Sequence, residues 1–150
     1  MQNEELCRQA ADMLDAGLIK PTRSANNFPT LLVSKGEPRV QPDGSIKQTA
    51  PRLTLDLRRL NPLIICEFFE LANLRHLCDG LASNSLHSSF DCTAGYTQVE
   101  LEDTDTPKSV DMMAFTLPRC KHRLSGQRFS HTRMVMGMKD AMARFSRIMH

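Results

Sequence analysis

Residues 89–101, Ser89-Phe90-Asp91-Cys92-Thr93-Ala94-Gly95-Tyr96-Thr97-Gln98-Val99-Glu100-Leu101, constrain the fold more than any other stretch. An apolar run, Leu86 to Cys92, delivers a carboxylate to the end of an expected strand. A turn of small residues follows, then the chain's one tyrosine, then a second alternating strand, Thr97 to Leu101, expected to pair with the first. Asp91 has two readings in such a place. It is a surface aspartate that opens a turn, or a carboxylate aimed into an open cleft to hold a metal ion.

At 150 residues, with 41% hydrophobic and 24% charged side chains, the chain fits one modest domain with a core of its own. No run is long and apolar enough to cross a bilayer, and the N-terminus has no signal-peptide pattern, so no membrane partner is expected. The five cysteines, Cys7, Cys66, Cys78, Cys92 and Cys120, are widely spaced without a CxxC. That excludes a dense disulfide scaffold and predicts reduced thiols in an intracellular, cytoplasmic protein. Cys120, His122 and His131 form only a partial metal set, with no fourth ligand at proper spacing.

Charge is unevenly placed although the net value is +2. Glu100, Glu102, Asp103, Asp105 and Asp111 surround the single Lys108. Beyond them Arg119, Lys121, Arg123, Arg128, Arg133, Lys139, Arg144 and Arg147 stand against Asp140 alone. The basic stretch is either a solvated face or a phosphate-binding surface.

Residues 3–16 read as a helix with Asn3 as N-cap, Glu4 and Glu5 in the first turn, and Leu6, Ala10, Met13 and Leu14 on one face. Gly17 is placed to end it. Thr30 to Val33 is a short strand, and Leu31 to Thr49 a long hairpin turning at Pro42-Asp43-Gly44-Ser45. Arg52 to Leu57 alternates leucines with polar residues, the period of a half-buried strand. A helix is expected over Leu71 to Leu81, broken at Gly80, and a strand over Ser109 to Leu117. From Met138 onward Ala141, Met142, Phe145, Ile148 and Met149 mark one face of a helix, still in phase at His150, so the chain is expected to break off within it.

Several blocks then fall in one family's order. Gly17-Leu18-Ile19-Lys20-Pro21-Thr22-Arg23-Ser24 resembles the lead-in of reverse transcriptases, and Leu31-Leu32-Val33-Ser34-Lys35 and Asp43-Gly44-Ser45 resemble their fingers strand and fingertip. Arg52 to Asn61 is similar to "R-F-C-V-D-Y-R-R-L-N", and Phe90 to Val99 to "L-D-L-K-S-G-Y-H-Q-I". Arg133 to Ala141 lies where "R-M-P-F-G-L-K-N-A" is expected, with Ala143 to Met149 matching "A-T-F-Q-R-L-M". The likeness is to polymerases of LTR retrotransposons of the gypsy and Pao types, and it covers nearly the whole chain.

That resemblance implies an α+β fold, the fingers and partial palm of a right-hand polymerase built of mostly antiparallel strands with flanking helices. Residues 1 to about 85 would be fingers and the start of the palm, 86–118 the first palm strands, and 119–150 the return. It implies RNA-directed DNA synthesis by two-magnesium nucleotidyl transfer on an RNA or DNA template with primer and deoxynucleoside triphosphates. In the parent, palm, thumb, RNase H and integrase would complete the polyprotein.

By the same likeness Asp91 is a metal ligand, joined by the backbone carbonyl of Cys92, since magnesium takes hard oxygen donors. Tyr96 gates the sugar, and Arg52 lies over the triphosphate, where a planar guanidinium suits phosphate oxygens. Lys35 and Lys47 are the two candidates for the fingertip lysine, and Gln98 lies near the nucleotide. Gly137, Arg133, Lys139 and Arg144 fall along the template-primer. Asp56 and Arg58 are expected to brace the fingers by pairing.

Departures are equally specific. Val135 and Met142 replace prolines, Met136 replaces an aromatic, and Asp140 stands where asparagine is usual. The paired carboxylates of a "Y-x-D-D" hairpin are absent from the 150 residues, so the isolated chain is expected to be inactive. A non-catalytic nucleic-acid-binding or interaction remnant of a retroelement is the alternative, and a fragment that does not fold stably is a third reading.

Overall fold

The computed structural model describes residues 2–34, 36, 39–40, 46–47, 51–66, 73–82, 84–101 and 109–149. Helix α1 (Gln2–Asp15) buries Leu6, Cys7, Ala10 and Ala11, four residues at helical spacing. It begins one residue before Asn3, so that side chain lies in the first turn instead of capping it. The C-terminus closes as expected at Gly17. The Leu18 N–H donates to the Met13 carbonyl at 2.9 Å and the Gly17 N–H to Leu14 at 3.0 Å. This double closure needs the φ of +70° that Gly17 adopts.

Strand β1 (Ile19–Pro21) follows directly, and β2 (Thr30–Val33) lies where the sequence predicts. Short strands β3 (Arg39–Val40) and β4 (Ile46–Lys47) pair with each other, and β2 pairs antiparallel with β5 (Arg52–Leu55). The hairpin is therefore longer than expected: the partner of Leu31–Val33 lies beyond Thr49, at Arg52–Thr54. Its turn, residues 42–45, falls outside the described residues. Leu55 and Leu57 are buried from one face, as their alternation requires. Arg58 forks onto Asp56, Nη2 to Oδ2 at 2.6 Å, so the expected brace is present.

Helix α2 (Leu74–Ala82) contains Gly80 instead of ending at it. Gly80 is exposed, with open space where a side chain would stand. The expected strands at 86–92 and 97–101 do not form. Residues 86–92 run without a ladder, and Leu86 and Phe90 are 89% and 93% exposed. A strand is stable only beside a neighbour that takes its backbone groups, and this run has none among the described residues. Residues 95–98 instead form a single helical turn, α3 (Gly95–Gln98). Val99 and Leu101 bond to residues 132–134, with Met134 N–H donating to Val99 O at 2.9 Å and Leu101 N–H to Thr132 O at 3.0 Å.

The strand expected over 109–117 is divided between α4 (Ser109–Met112) and β6 (Ala114–Thr116). Asp111 explains the break. Its carboxylate accepts from Thr22 Oγ at 3.0 Å, and its carbonyl accepts from Ser24 Oγ at 2.6 Å and Asn26 Nδ2 at 3.2 Å, bonds a ladder would not allow. Strand β7 (Arg128–His131) is central in the antiparallel order β1-β7-β6. The final helix, α5 (Ala141–Met149), buries Ala141 but leaves Met142, Ile148 and Met149 more than half exposed.

The core sits where α1 crosses the β1-β7-β6 sheet. Phe115, Phe129, Ile19, Met113 and Leu117 are buried there with Cys7 and Ala10, and Leu55, Leu57 and Leu60 join from the β2-β5 side. The result is a small α+β domain with antiparallel sheets. Among the described residues no helix is long and apolar enough to cross a membrane.

Candidate functional site

A cleft of about 910 Å³ opens between α1, β5, the 90–97 segment, the 131–136 segment and α5. Arg52, Asp91, Cys92, Tyr96 and Arg133, all singled out by sequence, line it together. They come from points spread over eighty positions of chain, and only tertiary folding unites them.

Arg52 projects from β5, and the backbone on either side of it is held from α1. The side-chain amide of Gln9 accepts from the Leu53 N–H at 2.7 Å and donates to the Pro51 carbonyl at 2.7 Å. Because β5 pairs only with β2 among the described residues, its other edge would otherwise be open, and Gln9 serves that edge as a one-residue strand. The guanidinium itself donates from Nη1 to Met136 Sδ at 3.0 Å. A thioether is a weak acceptor, so an anion in the cleft would displace it readily.

Asp91 and Cys92 are exposed at the mouth of the cleft. The following turn is tight, with Ala94 at φ 53°, ψ 41°, a left-handed conformation that costs a non-glycine residue about 1 kcal/mol. Tyr96 then turns inward and meets Phe145 of α5 edge-on, ring centroids 5.4 Å apart at 75°. A side chain at Gly95 would come within 2.7 Å of the same Phe145 ring, so any larger residue there forces that ring to shift. Arg133 is tied to the rim by Glu100, Nη2 to Oε1 at 2.8 Å, across an isolated bridge between the two residues.

His131 is buried in the cleft wall beside Phe115, ring centroids 5.4 Å apart, and its Nε2 has no hydrogen-bond partner among the described residues. Burial lowers it to about 4, so the imidazole is neutral near pH 7. Gln9, Asp12, Met13, His131 and Phe145 are lining residues that the sequence reading did not single out for the site. Spacing along α1 offers no signal for Gln9, Asp12 or Met13, because the cleft wall is set by how α1 crosses β5.

The remaining expected residues lie elsewhere. Gln98 is exposed and folds back onto the Thr93 carbonyl at 2.8 Å. Gly137, at φ +90°, gives its carbonyl to Asn61 Nδ2 at 3.0 Å, and Lys139 N–H donates to Asn61 Oδ1 at 3.0 Å. Arg144 pairs with the buried carboxylate of Asp140. None of these four lines the cleft. Lys35 lies outside the described residues, as does the side chain of Lys47 on β4. His122 gives its Nδ1 to the Leu124 N–H at 3.2 Å, while His131 sits in the β7 core.

Magnesium requires several oxygen ligands, usually carboxylates. Among the described residues no group of three or more His, Cys, Asp or Glu could hold a metal ion. The cleft is lined by two exposed carboxylates, Asp91 and the Arg8-paired Asp12, and the donor set among the described residues does not fit a magnesium site by itself.

No protein-family model matches the chain. It is 28% identical over 144 residues to the "Retrovirus-related Pol polyprotein from transposon opus" of Drosophila melanogaster, an alignment covering 96% of the chain and 13% of that protein. It is 30% identical over 116 residues to the "Enzymatic polyprotein" of Figwort mosaic virus, covering 77% of the chain and 16% of that protein. A third relative, the Pol polyprotein from transposon 297 of Drosophila melanogaster, is 28% identical over 146 residues, 97% of the chain and 12% of the polyprotein. The chain thus spans at most 16% of the length of these three relatives. The resemblance read from the sequence blocks is borne out at that level: the chain is homologous to a segment of the Pol polyproteins of retroelements.

Proposed function

We propose that the chain is the fingers and opening palm of a reverse transcriptase domain, part of an RNA-directed DNA polymerase within a Pol polyprotein, and that its cleft receives the incoming deoxynucleotide. The observation that carries this reading is the convergence of Arg52, Asp91, Tyr96 and Arg133 on one cleft. Arg52 and Arg133 supply guanidinium donors for triphosphate oxygens, and Tyr96 presents a ring for the sugar to rest on. Asp91 and the Cys92 carbonyl contribute oxygen donors toward magnesium, whose further ligands have to come from outside the described residues. Template-primer and the rest of the polyprotein are the partners this reading requires.

Primer extension on a primed RNA tests it, using a longer polyprotein segment that contains this chain. Asp91→Asn is expected to lower extension about a hundredfold or more, as loss of a group acting on transition-state charge does. Equal extension by both forms removes Asp91 from the chemistry.

The exposed basic residues Arg119, Lys121, Arg123 and Lys139 also favour a second reading, a nucleic-acid-binding remnant without catalysis. It predicts salt-dependent binding of the 150-residue chain to a primer-template duplex, weakening as salt rises. Absence of binding at low salt rejects it.

A further inference from the structure

The sulfurs of Cys7 and Cys120 lie 2.8 Å apart although 113 positions separate them in sequence. Cys7 is wholly buried on α1, Cys120 is half-buried in the loop joining β6 to β7, and neither is in a disulfide. A disulfide bond is about 2.05 Å long, so closing one asks each sulfur to move by less than half an ångström. We propose that Cys7 and Cys120 form a reversible redox couple, oxidised to an intrachain disulfide by a low-molecular-weight disulfide such as glutathione disulfide.

The surroundings assign separate roles to the two thiols. Cys120 is fixed in its loop by its own N–H, which donates to Ser125 Oγ at 2.9 Å. Its sulfur accepts from the His122 N–H at 3.4 Å. Arg119 and Lys121 flank it and are exposed, complementing the carboxylates of glutathione. Cys7 is the opposite case. Burial, and then the Cys120 sulfur beside it, push its thiol up to about 12. Because Cys120 reaches solvent and Cys7 does not, Cys120 is the attacking group and Cys7 the resolving one.

The exchange balances in two steps. The Cys120 thiolate attacks one sulfur of glutathione disulfide, breaking its S–S bond and releasing one glutathione thiolate. Cys7 then gives its proton to water and attacks Cys120 Sγ, releasing the second. Two protein thiols are oxidised and one glutathione disulfide is reduced to two glutathiones. Cys66, Cys78 and Cys92 are exposed, and in this scheme they stop at the mixed disulfide. The new bond ties α1, which supplies Gln9, Asp12 and Met13 to the cleft, to the loop between β6 and β7.

The test uses the 150-residue chain carrying C66S, C78S and C92S, equilibrated in glutathione redox buffers, with alkylation and peptide mapping as the readout. A Cys7–Cys120 cross-linked peptide is expected. With it comes a rise in Tm of about 5 °C or more over the reduced form, because the bond closes a long loop. In concentrated urea the equilibrium constant for the bond should fall at least about tenfold, since native contacts no longer hold the sulfurs together. Adding Cys120→Ser should leave the far-UV spectrum unchanged and make Tm identical in oxidising and reducing buffer. A folded chain that stops at glutathionylated Cys120, or an equilibrium constant unaltered by urea, overturns the proposal. This test is independent of polymerase activity.

Discussion

Phe145 stands edge-on to Tyr96 with ring centroids 5.4 Å apart, and the same ring closes against the backbone of Gly95. One α5 side chain thus fixes both the turn that follows Asp91 and the aromatic that faces the cleft. Gly95→Ala is expected to destabilise by about 1–3 kcal/mol through overpacking against Phe145. Combined with Phe145→Leu, the two effects should sum to less than their separate costs, because the smaller residue vacates the contested space. Urea unfolding of the four forms measures the cycle, and strict additivity would show that the two residues do not share it.

The clamp of Gln9 on β5 leads to a second expectation. Gln9→Ala removes a donor and an acceptor from the backbone flanking Arg52, at a cost of about 1–2 kcal/mol in stability. Hydrogen exchange at the Leu53 amide should quicken in this variant while the Thr54 amide, which faces β2 across the ladder, changes less. Unaltered exchange at Leu53 would contradict the clamp.

His131 makes stability depend on pH. Its folded-state value, about 4, lies below its ordinary 6.5, so the unfolded chain binds the extra proton first. Stability from this group is complete above about pH 6.5 and is lost as pH falls toward 4, by roughly 3 kcal/mol in all. Glu5 and Asp56, both lowered to about 2 by Arg8 and Arg58 respectively, act in the same direction only below their ordinary carboxylate range. Loss of stability between pH 6.5 and 4.5 therefore reports His131. His131→Phe should flatten the urea midpoint over that interval, and an unchanged slope would assign it to other groups.

Asp140 is buried, with one carboxylate oxygen paired to Arg144 and the other lacking a hydrogen-bond partner among the described residues. Arg144→Ala is expected to cost about 2 kcal/mol or more, leaving a buried charge uncompensated. Asp140→Asn in the same chain should recover most of that loss by removing the charge. Thermal unfolding of the single and double variants decides this, and no recovery would place the role of Arg144 elsewhere.

Leu86 and Phe90 are almost wholly exposed, so Phe90→Ser should change the stability of the monomer by no more than about 0.5 kcal/mol. It should also reduce self-association in sedimentation, since exposed apolar surface is a contact site. A large loss of stability would mean that Phe90 is packed.

Local patterns were legible wherever one segment carried its own reason. The face of α1, its closure at Gly17, the leucine alternation into Leu57 and the Asp56–Arg58 pair all follow from spacing and backbone preference within a few residues. The run 86–92 has the same kind of pattern but forms no strand, because a ladder needs a second chain segment and none of the described residues supplies it. Likewise Gln98, Gly137 and Lys139 match family positions, yet their bonds go to local backbone and to Asn61, away from the cleft.

The sequence by itself therefore determined kinship with retroelement Pol polyproteins and the residue types at Arg52, Asp91 and Tyr96. Only the tertiary structure decided that these three share a cleft with Arg133 and His131, that Gln9 closes the edge beside Arg52, and that Cys7 meets Cys120. The reason is physical: a residue's identity fixes its chemistry locally, whereas proximity between distant residues arises when α1 buries its apolar face against the sheets and Phe145 of α5 packs on the Gly95–Tyr96 turn.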